Sequence, residues 1–261
     1  MPKQRLINKS EQHEIEMNNP MTVLVLGATG ATGRLLTEQL LDRGLRVKAI
    51  VRSPDRLPDS IRQHENLSVI HASVLDLSDA GMVEHAAGCD AVASCLGHNL
   101  TIKGIFGQPR RLVTDAVRHV CQAIRGIGSE KPIKFVLMNT AGNSNRDLEE
   151  PVSLSQSCVI GLLRLLIPPH RDNENAADFL RTEVGQNDTE IQWAAVRPDS
   201  LFDEDDVSDY ELHPSPTRSA IFKPGRTSRI NVAHFMADLI TNHDAWEKWK
   251  GQMPVIYNKE S

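Results

Sequence analysis

One turn constrains this chain more than any other stretch. Between the short β-branched run 22–26 (TVLVL) and a helix-patterned stretch lies Gly27-Ala28-Thr29-Gly30-Ala31-Thr32-Gly33-Arg34. A chain leaving a buried strand this abruptly needs Gly27 for the tight exit and Gly30 for close approach of a phosphate to bare backbone. It needs Gly33 so that the next helix can lie close on the sheet. That helix carries Leu35, Leu36, Leu40 and Leu41 on one face and stops at Gly44. Its first turn, with Thr29, Ala31 and Thr32, offers unbonded N–H groups and the positive end of a dipole to an anion. The competing reading is a small-residue turn that binds nothing.

Apolar runs of strand length alternate with runs of helical period along the rest of the chain. Strands are predicted at 46–51, 67–71, 90–95, 133–138 and 191–196. Helices are predicted at 31–43, around 80–87, along the stripe Leu112, Val113, Ala116, Val117, Val120, Cys121 and Ile124, and at 154–167, 173–184 and 231–241. Such alternation predicts an α/β fold, a Rossmann-type doubly wound parallel sheet, with a small C-terminal segment on the substrate side. The expected organisation is a flexible tail over 1–20 and one NAD(P)-binding domain over 21–261, within which 199–230 is irregular. With 261 residues, 40% of them hydrophobic, the chain can bury one large core.

Charge and composition exclude several classes. Lys and Arg number 29 against 34 Asp and Glu, a net charge of -5, so no global basic field is present to hold nucleic acid or an anionic membrane. Four cysteines (Cys89, Cys95, Cys121, Cys158) without a C-x-x-C pair, and ten histidines without ligand spacing, argue against structural zinc and a disulfide framework. Cys95, Cys121 and Cys158 read as small apolar core residues. The apolar stretch 159–167 is interrupted by Arg164 and stops at Pro168-Pro169, short of the roughly 20 residues that cross a bilayer. Residues 1–20 lack the apolar core of a secretory signal. A cytoplasmic protein with no nucleic-acid or membrane partner is expected.

The residue that ends the second strand selects the dinucleotide. An NAD site usually has Asp or Glu there to hold the ribose 2′-OH, whereas this strand ends in Val51-Arg52-Ser53. Arg52 together with Arg34 suits a 2′-phosphate, predicting NADP(H) over NAD(H) by about 100-fold. The alternatives are a solvated turn residue at 52 and a surface helix residue at 34. Asp76 and Leu77, after the third strand, fall where the chain would pass the adenine, Asp76 as a hydrogen-bond acceptor or as a helix cap. Cys95, Leu96 and Gly97 end the fourth strand and are small enough for a ribose to lie along their backbone.

Taken together, G-x-x-G-x-x-G-R, VRSPDRL, VLDL, ASCLG, MNTAG, and VRP followed by SRINVAHFM resemble an atypical or extended short-chain dehydrogenase/reductase. The nearest branch is the NAD(P)H-binding group of NmrA-like regulators and biliverdin/flavin reductase-like enzymes. The resemblance implies a Tyr-x-x-x-Lys pair after strand five, which this sequence lacks: the region reads PPHRDNENAADFLR, and the tyrosines stand at 210 and 257. What it leaves is Thr140, matching the family's serine-bearing strand end and able to hydrogen-bond a substrate carbonyl, or else a turn residue. Pro198, of the Arg197-Pro198 element, is implied to line the nicotinamide side.

His170 is the candidate proton donor, being the titratable group nearest the missing pair, against an exposed loop histidine. The leading expectation is an NADPH-dependent oxidoreductase delivering hydride to a small acceptor such as a flavin, quinone or carbonyl. The rival is a non-catalytic NADP(H)-binding redox sensor with a protein partner. A sugar-nucleotide epimerase or dehydratase ranks last, since those relatives keep the Tyr-x-x-x-Lys pair.

Overall fold

The computed structural model describes residues 20–98, 107–148, 150, 168–219 and 222–259. Strand β1 (Thr22–Leu26) lies at the centre of the sheet because both of its faces are apolar. Val23 and Val25 point into one core, Leu24 and Leu26 into the other, so the period-2 alternation of a strand serves two layers at once. β1 pairs in parallel with β2 (Arg46–Val51) on one side and β4 (Ala91–Ser94) on the other. β3 (Leu67–His71) flanks β2, while β5 (Ile133–Met138) and β6 (Ile191–Pro198) continue beyond β4.

Between β1 and β2 runs helix α1 (Ala31–Asp42), and a short α2 (Asp59–Arg62) precedes β3. α3 (Asp79–Ala86), α4 (Leu112–Ile127) and α5 (Pro168–Phe179) follow one another on the opposite face, α4 packed between the other two. α1 packs instead on α6 (Arg229–Thr241), which leads into α7 (His243–Trp249). Helices thus cover both faces of a parallel sheet, as the α/β reading requires. The stripe predicted on α4 is buried from Val113 to Ile124, but Leu112 is only partly so.

Differences from the sequence expectations cluster in the second half. The helix expected at 173–184 already includes Pro168, the first described residue after 150, and it ends in a wider turn, Leu180–Val184. β6 runs through Pro198 instead of stopping at Val196. The segment read as irregular holds three short strands: β7 (Ser200–Phe202) pairs in parallel with β9 (Arg226–Ser228), and β8 (Tyr210–His213) joins the main sheet. The last strand, β10 (Val255–Asn258), was not foreseen. It inserts between β6 and β8, parallel to the first and antiparallel to the second, completing the order β3-β2-β1-β4-β5-β6-β10-β8. The predicted tail, the helix 154–167 and Cys158 lie outside the described residues. No described helix is long and apolar enough to cross a membrane.

Candidate functional site

The glycine turn sits at the carboxyl end of β1. Gly27 has φ +80°, and a side chain there would come within 2.7 Å of the Cys95 carbonyl oxygen at the end of β4. A Cβ on Gly33 would fall 2.1 Å from the Gly27 carbonyl oxygen, so α1 can lie this close only with glycine at both positions. Gly30 differs: its missing Cβ would meet only the Gly27 carbonyl, at 3.2 Å, and its outer side is open. Gly30 N-caps α1 without a side-chain cap, and no acidic residue stands in the first turn. The helix therefore presents its amino end to the cleft, a ready seat for an anion. Within that first turn Thr32 and Gly33 are buried and Ala31 is exposed, so Ala31 offers backbone rather than side chain.

Around this turn lies a cavity of about 110 Å³. Thr29 and Gly30 meet the end of β2 (Ile50, Val51, Arg52) on one side and Cys95, Leu96 and Gly97 on the other. Leu112 lines the cleft too, which explains why it leaves the buried stripe of α4. Arg52 and Arg56 stand exposed at its rim, and neither forms an ion pair among the described residues. Arg56 escaped the sequence reading because the 3₁₀ turn Pro54–Arg56 brings it back beside Arg52. Arg34 is exposed on α1 outside the lining. Asp76 and Leu77 also lie outside it: a turn closed by Asp76 N to Ser73 O at 3.0 Å aims Val74 into the cleft, leaves Asp76 exposed and packs Leu77 on the core. An uncapped helix end, an open Gly30 and two uncommitted guanidinium groups fit the phosphates of a dinucleotide.

At the carboxyl end of β5, on the same edge of the sheet, Thr140 and His170 both border Gly142. A methyl group on Gly142 would sit 3.5 Å from His170 Cε1 and 3.7 Å from Thr140 Oγ1. Asn139 organises this corner, accepting from Thr140 N at 2.8 Å and donating to the Asn173 carbonyl on α5 at 2.9 Å. Thr140 Oγ1 accepts from Gly142 N at 3.3 Å. His170 belongs to the first turn of α5 rather than to an exposed loop, with a side chain 14% exposed and Nε2 3.6 Å from the buried Glu174 carboxylate.

Pro198 does not line the glycine cleft. Its carbonyl accepts from Ala141 N at 2.8 Å, which ties β6 to the turn that carries Thr140. Arg197 beside it is fully buried, donating to the carbonyls of Met253, Asn143 and Pro214 and to the Glu150 carboxylate at 2.7 Å. That arginine braces β6 against its neighbouring loops.

Sequence reasoning missed a buried pair one residue past the cleft. His98 Nε2 meets the Asp172 carboxylate at 2.8 Å, and the same carboxylate accepts from Val113 N, Thr114 N and Thr114 Oγ1, capping α4 from another helix. The two residues are 74 positions apart, so no local pattern announces them. Burial pushes the Cys95 and Cys121 thiols up to about 12 and Cys89 up to about 11, which favours the protonated thiol at these positions. Tyr210 and Tyr257 lie on β8 and β10, both with phenols raised by burial and neither on α5.

Residues 27–243 match the family described as NAD(P)H-binding. A 3-diazoavenalumate denitrifying reductase of a Streptomyces species is 33% identical over 119 residues, which are 42% of this chain and 36% of that protein. The chain spans less than two fifths of the length of the curated relatives it matches. Among solved structures, a wide-type short-chain dehydrogenase/reductase from Veillonella parvula in complex with NADP matches with a TM-score of 0.65 at 17% identity, covering 91% of this chain and 94% of that one. ChuY, an anaerobillin reductase from Escherichia coli O157:H7, matches with a TM-score of 0.64 at 18% identity, covering 92% and 98%. Likeness at this level of identity is one of fold.

Proposed function

The chain belongs to the NAD(P)H-binding family, and from that membership we propose that it is a cytoplasmic NADPH-dependent oxidoreductase that reduces a small conjugated acceptor. The observation that carries the reading is the open, uncapped end of α1 over Gly30 facing the uncommitted Arg52 and Arg56. Gly27, Thr29, Gly30 and the backbone of Ala31, Thr32 and Gly33 hold the pyrophosphate. Arg52, with Arg56, pairs with the 2′-phosphate, and Arg34 adds a more distant positive charge. Cys95, Leu96 and Gly97, which line the cleft, would hold the ribose.

When bound, the nicotinamide supplies the hydride; the chain binds and orients the reactants and handles the proton. The Thr140 hydroxyl donates a hydrogen bond to the acceptor oxygen as negative charge gathers there. His170 donates the proton that completes the reduction, held 3.6 Å from Glu174. Acceptors that carry their own protonation sites, such as flavins, quinones and tetrapyrroles, place little demand on a protein acid, which suits a helix α5 that has neither Tyr nor Lys.

That same lack supports a second reading, a sensor that binds NADP(H) and reports its redox state to a protein partner without turnover. One experiment separates the two. Loss of NADPH absorbance is followed with flavins, quinones, tetrapyrroles and simple carbonyls, beside NADH controls and a titration of NADPH and NADP+ binding. Turnover with one class supports the reductase and names its chemistry. Tight, redox-dependent binding with no turnover sinks the reductase in favour of the sensor, and absence of dinucleotide binding overturns both.

A further inference from the structure

A second and larger hollow, of about 600 Å³, opens between α4 and α5. It lies around the amino end of α4 from the glycine cleft: Leu112 faces the cleft, while Arg110 and Arg111 just before it face the hollow. Arg118, two turns along α4, and Arg171, in the first turn of α5, bring four guanidinium groups to one concave surface. Its size is that of a small-molecule site.

The charge balance of this surface is decided by which groups are already engaged. Of the acids in the lining, Asp172 is taken by His98, Thr114 and the α4 backbone, and Asp178 is held by Arg146 at 2.7 Å and Arg181 at 3.4 Å. Glu183, on the turn that ends α5, forms no ion pair among the described residues and is the one uncommitted acid. Among the arginines, only Arg111 has an acidic partner, Asp115 at 3.5 Å, in a solvent-exposed pair. Arg110, Arg118 and Arg171 form no ion pair among the described residues, and the Arg118 guanidinium is held 5.2 Å over the Phe179 ring. Set against Glu183, these three cations still leave the concavity a net positive charge in a chain whose net charge is -5.

We propose that this hollow is a second ligand site, separate from the dinucleotide cleft, for a small organic anion carrying at least two acidic groups, phosphate or carboxylate. Arginines arranged around a cavity bind such groups through paired, charge-assisted hydrogen bonds. Phe179 and Pro168 provide an apolar wall for the body of the ligand, and Asn175 and Thr182 provide neutral hydrogen-bonding groups. These arginines line one concavity rather than an extended track, which favours a compact anion over a nucleic-acid backbone.

The test is calorimetric titration with pyrophosphate and with citrate, on protein saturated with NADP+ so that the glycine turn is filled. Three proteins are compared: the wild type, the double variant Arg110→Ser/Arg171→Ser, and Arg46→Ser, at an exposed arginine that lines neither cavity. The expected result is one site in the wild type for at least one probe, weakened about tenfold or more in the double variant, unchanged in Arg46→Ser and weakened by salt. Pyrophosphate alone assigns a phosphate ligand, and citrate alone a polycarboxylate. No binding of either probe up to about 10 mM, or equal binding by the double variant, overturns the proposal. A direct NADP+ titration reads the dinucleotide site independently. Should NADP+ fail to bind, the same comparison on the free proteins still reads the arginine hollow.

Discussion

His98 Nε2 and the Asp172 carboxylate meet at 2.8 Å with side chains only 5% and 1% exposed. One carboxylate thereby joins three elements: the end of β4 beside the glycine cleft, the amino end of α4, and α5, on which it resides. Removing it leaves a buried imidazole and two backbone N–H groups without their acceptor, so Asp172→Ala is expected to cost about 3 kcal/mol. Urea unfolding measures this; a loss within experimental error of zero refutes the role.

The same residue sets an acid limit. Burial works to raise the Asp172 pKa, but hydrogen bonds from His98, Thr114 and the Val113 and Thr114 N–H groups outweigh it and hold the carboxyl below its ordinary 3.8. A folded-state pKa depressed in this way contributes stability that is fully present above 3.8 and is lost as pH falls through the folded value. Asp172→Asn is expected to be less stable at neutral pH and to show a shallower decline of stability below about pH 4. Parallel slopes for wild type and variant in that range contradict the assignment.

Two glycines in one turn separate folding from binding. Gly33→Ala forces a methyl group to 2.1 Å from the Gly27 carbonyl and is expected to destabilise the fold by about 2 to 3 kcal/mol. Gly30→Ala meets a milder 3.2 Å contact with the Gly27 carbonyl, so its melting temperature should fall less than that of Gly33→Ala while NADPH affinity falls by about tenfold or more. Thermal melts and fluorescence titration of both variants decide the matter. Equal affinity in Gly30→Ala and wild type removes the pyrophosphate from that position.

Dinucleotide preference should reside in the end of β2 and the turn after it. Arg52→Asp is expected to remove most of a preference for NADPH of about 100-fold, and Arg56→Asp a smaller part. The Kd ratio for NADPH against NADH is the readout, and a ratio unchanged by Arg52→Asp ends the assignment.

Thr140 and His170 both border Gly142, outside the lining of the glycine cleft, so their variants should act on turnover and leave dinucleotide binding alone. With an acceptor in hand, His170→Gln is expected to lower kcat by about 100-fold and Thr140→Val by about tenfold, with NADPH Kd within twofold of wild type. Unchanged kcat in both variants means that the acceptor is protonated by solvent.

Much of the frame was legible in the sequence because it obeys local periods. The bounds of β1, β2, β3 and β5 follow from strand-like runs of five or six residues, and the face of α4 follows from its 3.6-residue stripe. Short terminal elements were not legible: β10 is a four-residue strand directly after Pro254, and β8 sits in an acidic stretch that reads as a solvated loop. At the cleft, spacing located the glycine turn but could not say which neighbours a turn aims inward. Val74 and Arg56 face the cleft where Asp76, Leu77 and Arg34 were expected, since the Ser73 to Asp76 turn and the 3₁₀ turn Pro54–Arg56 set direction through backbone geometry. The His98 and Asp172 pair is a product of tertiary packing alone.

The insertion of β10 between β6 and β8 imposes an order on synthesis. Strands β1 to β6 can pair with one another as they leave the ribosome, but β8 emerges before the strand that joins it to the sheet. Until β10 arrives, β6 and β8 both carry open edges. The acids clustered at Asp203, Glu204, Asp205, Asp206, Asp209 and Glu211, in and just ahead of β8, give the nascent segment a charge that discourages edge-to-edge pairing between neighbouring chains during that wait.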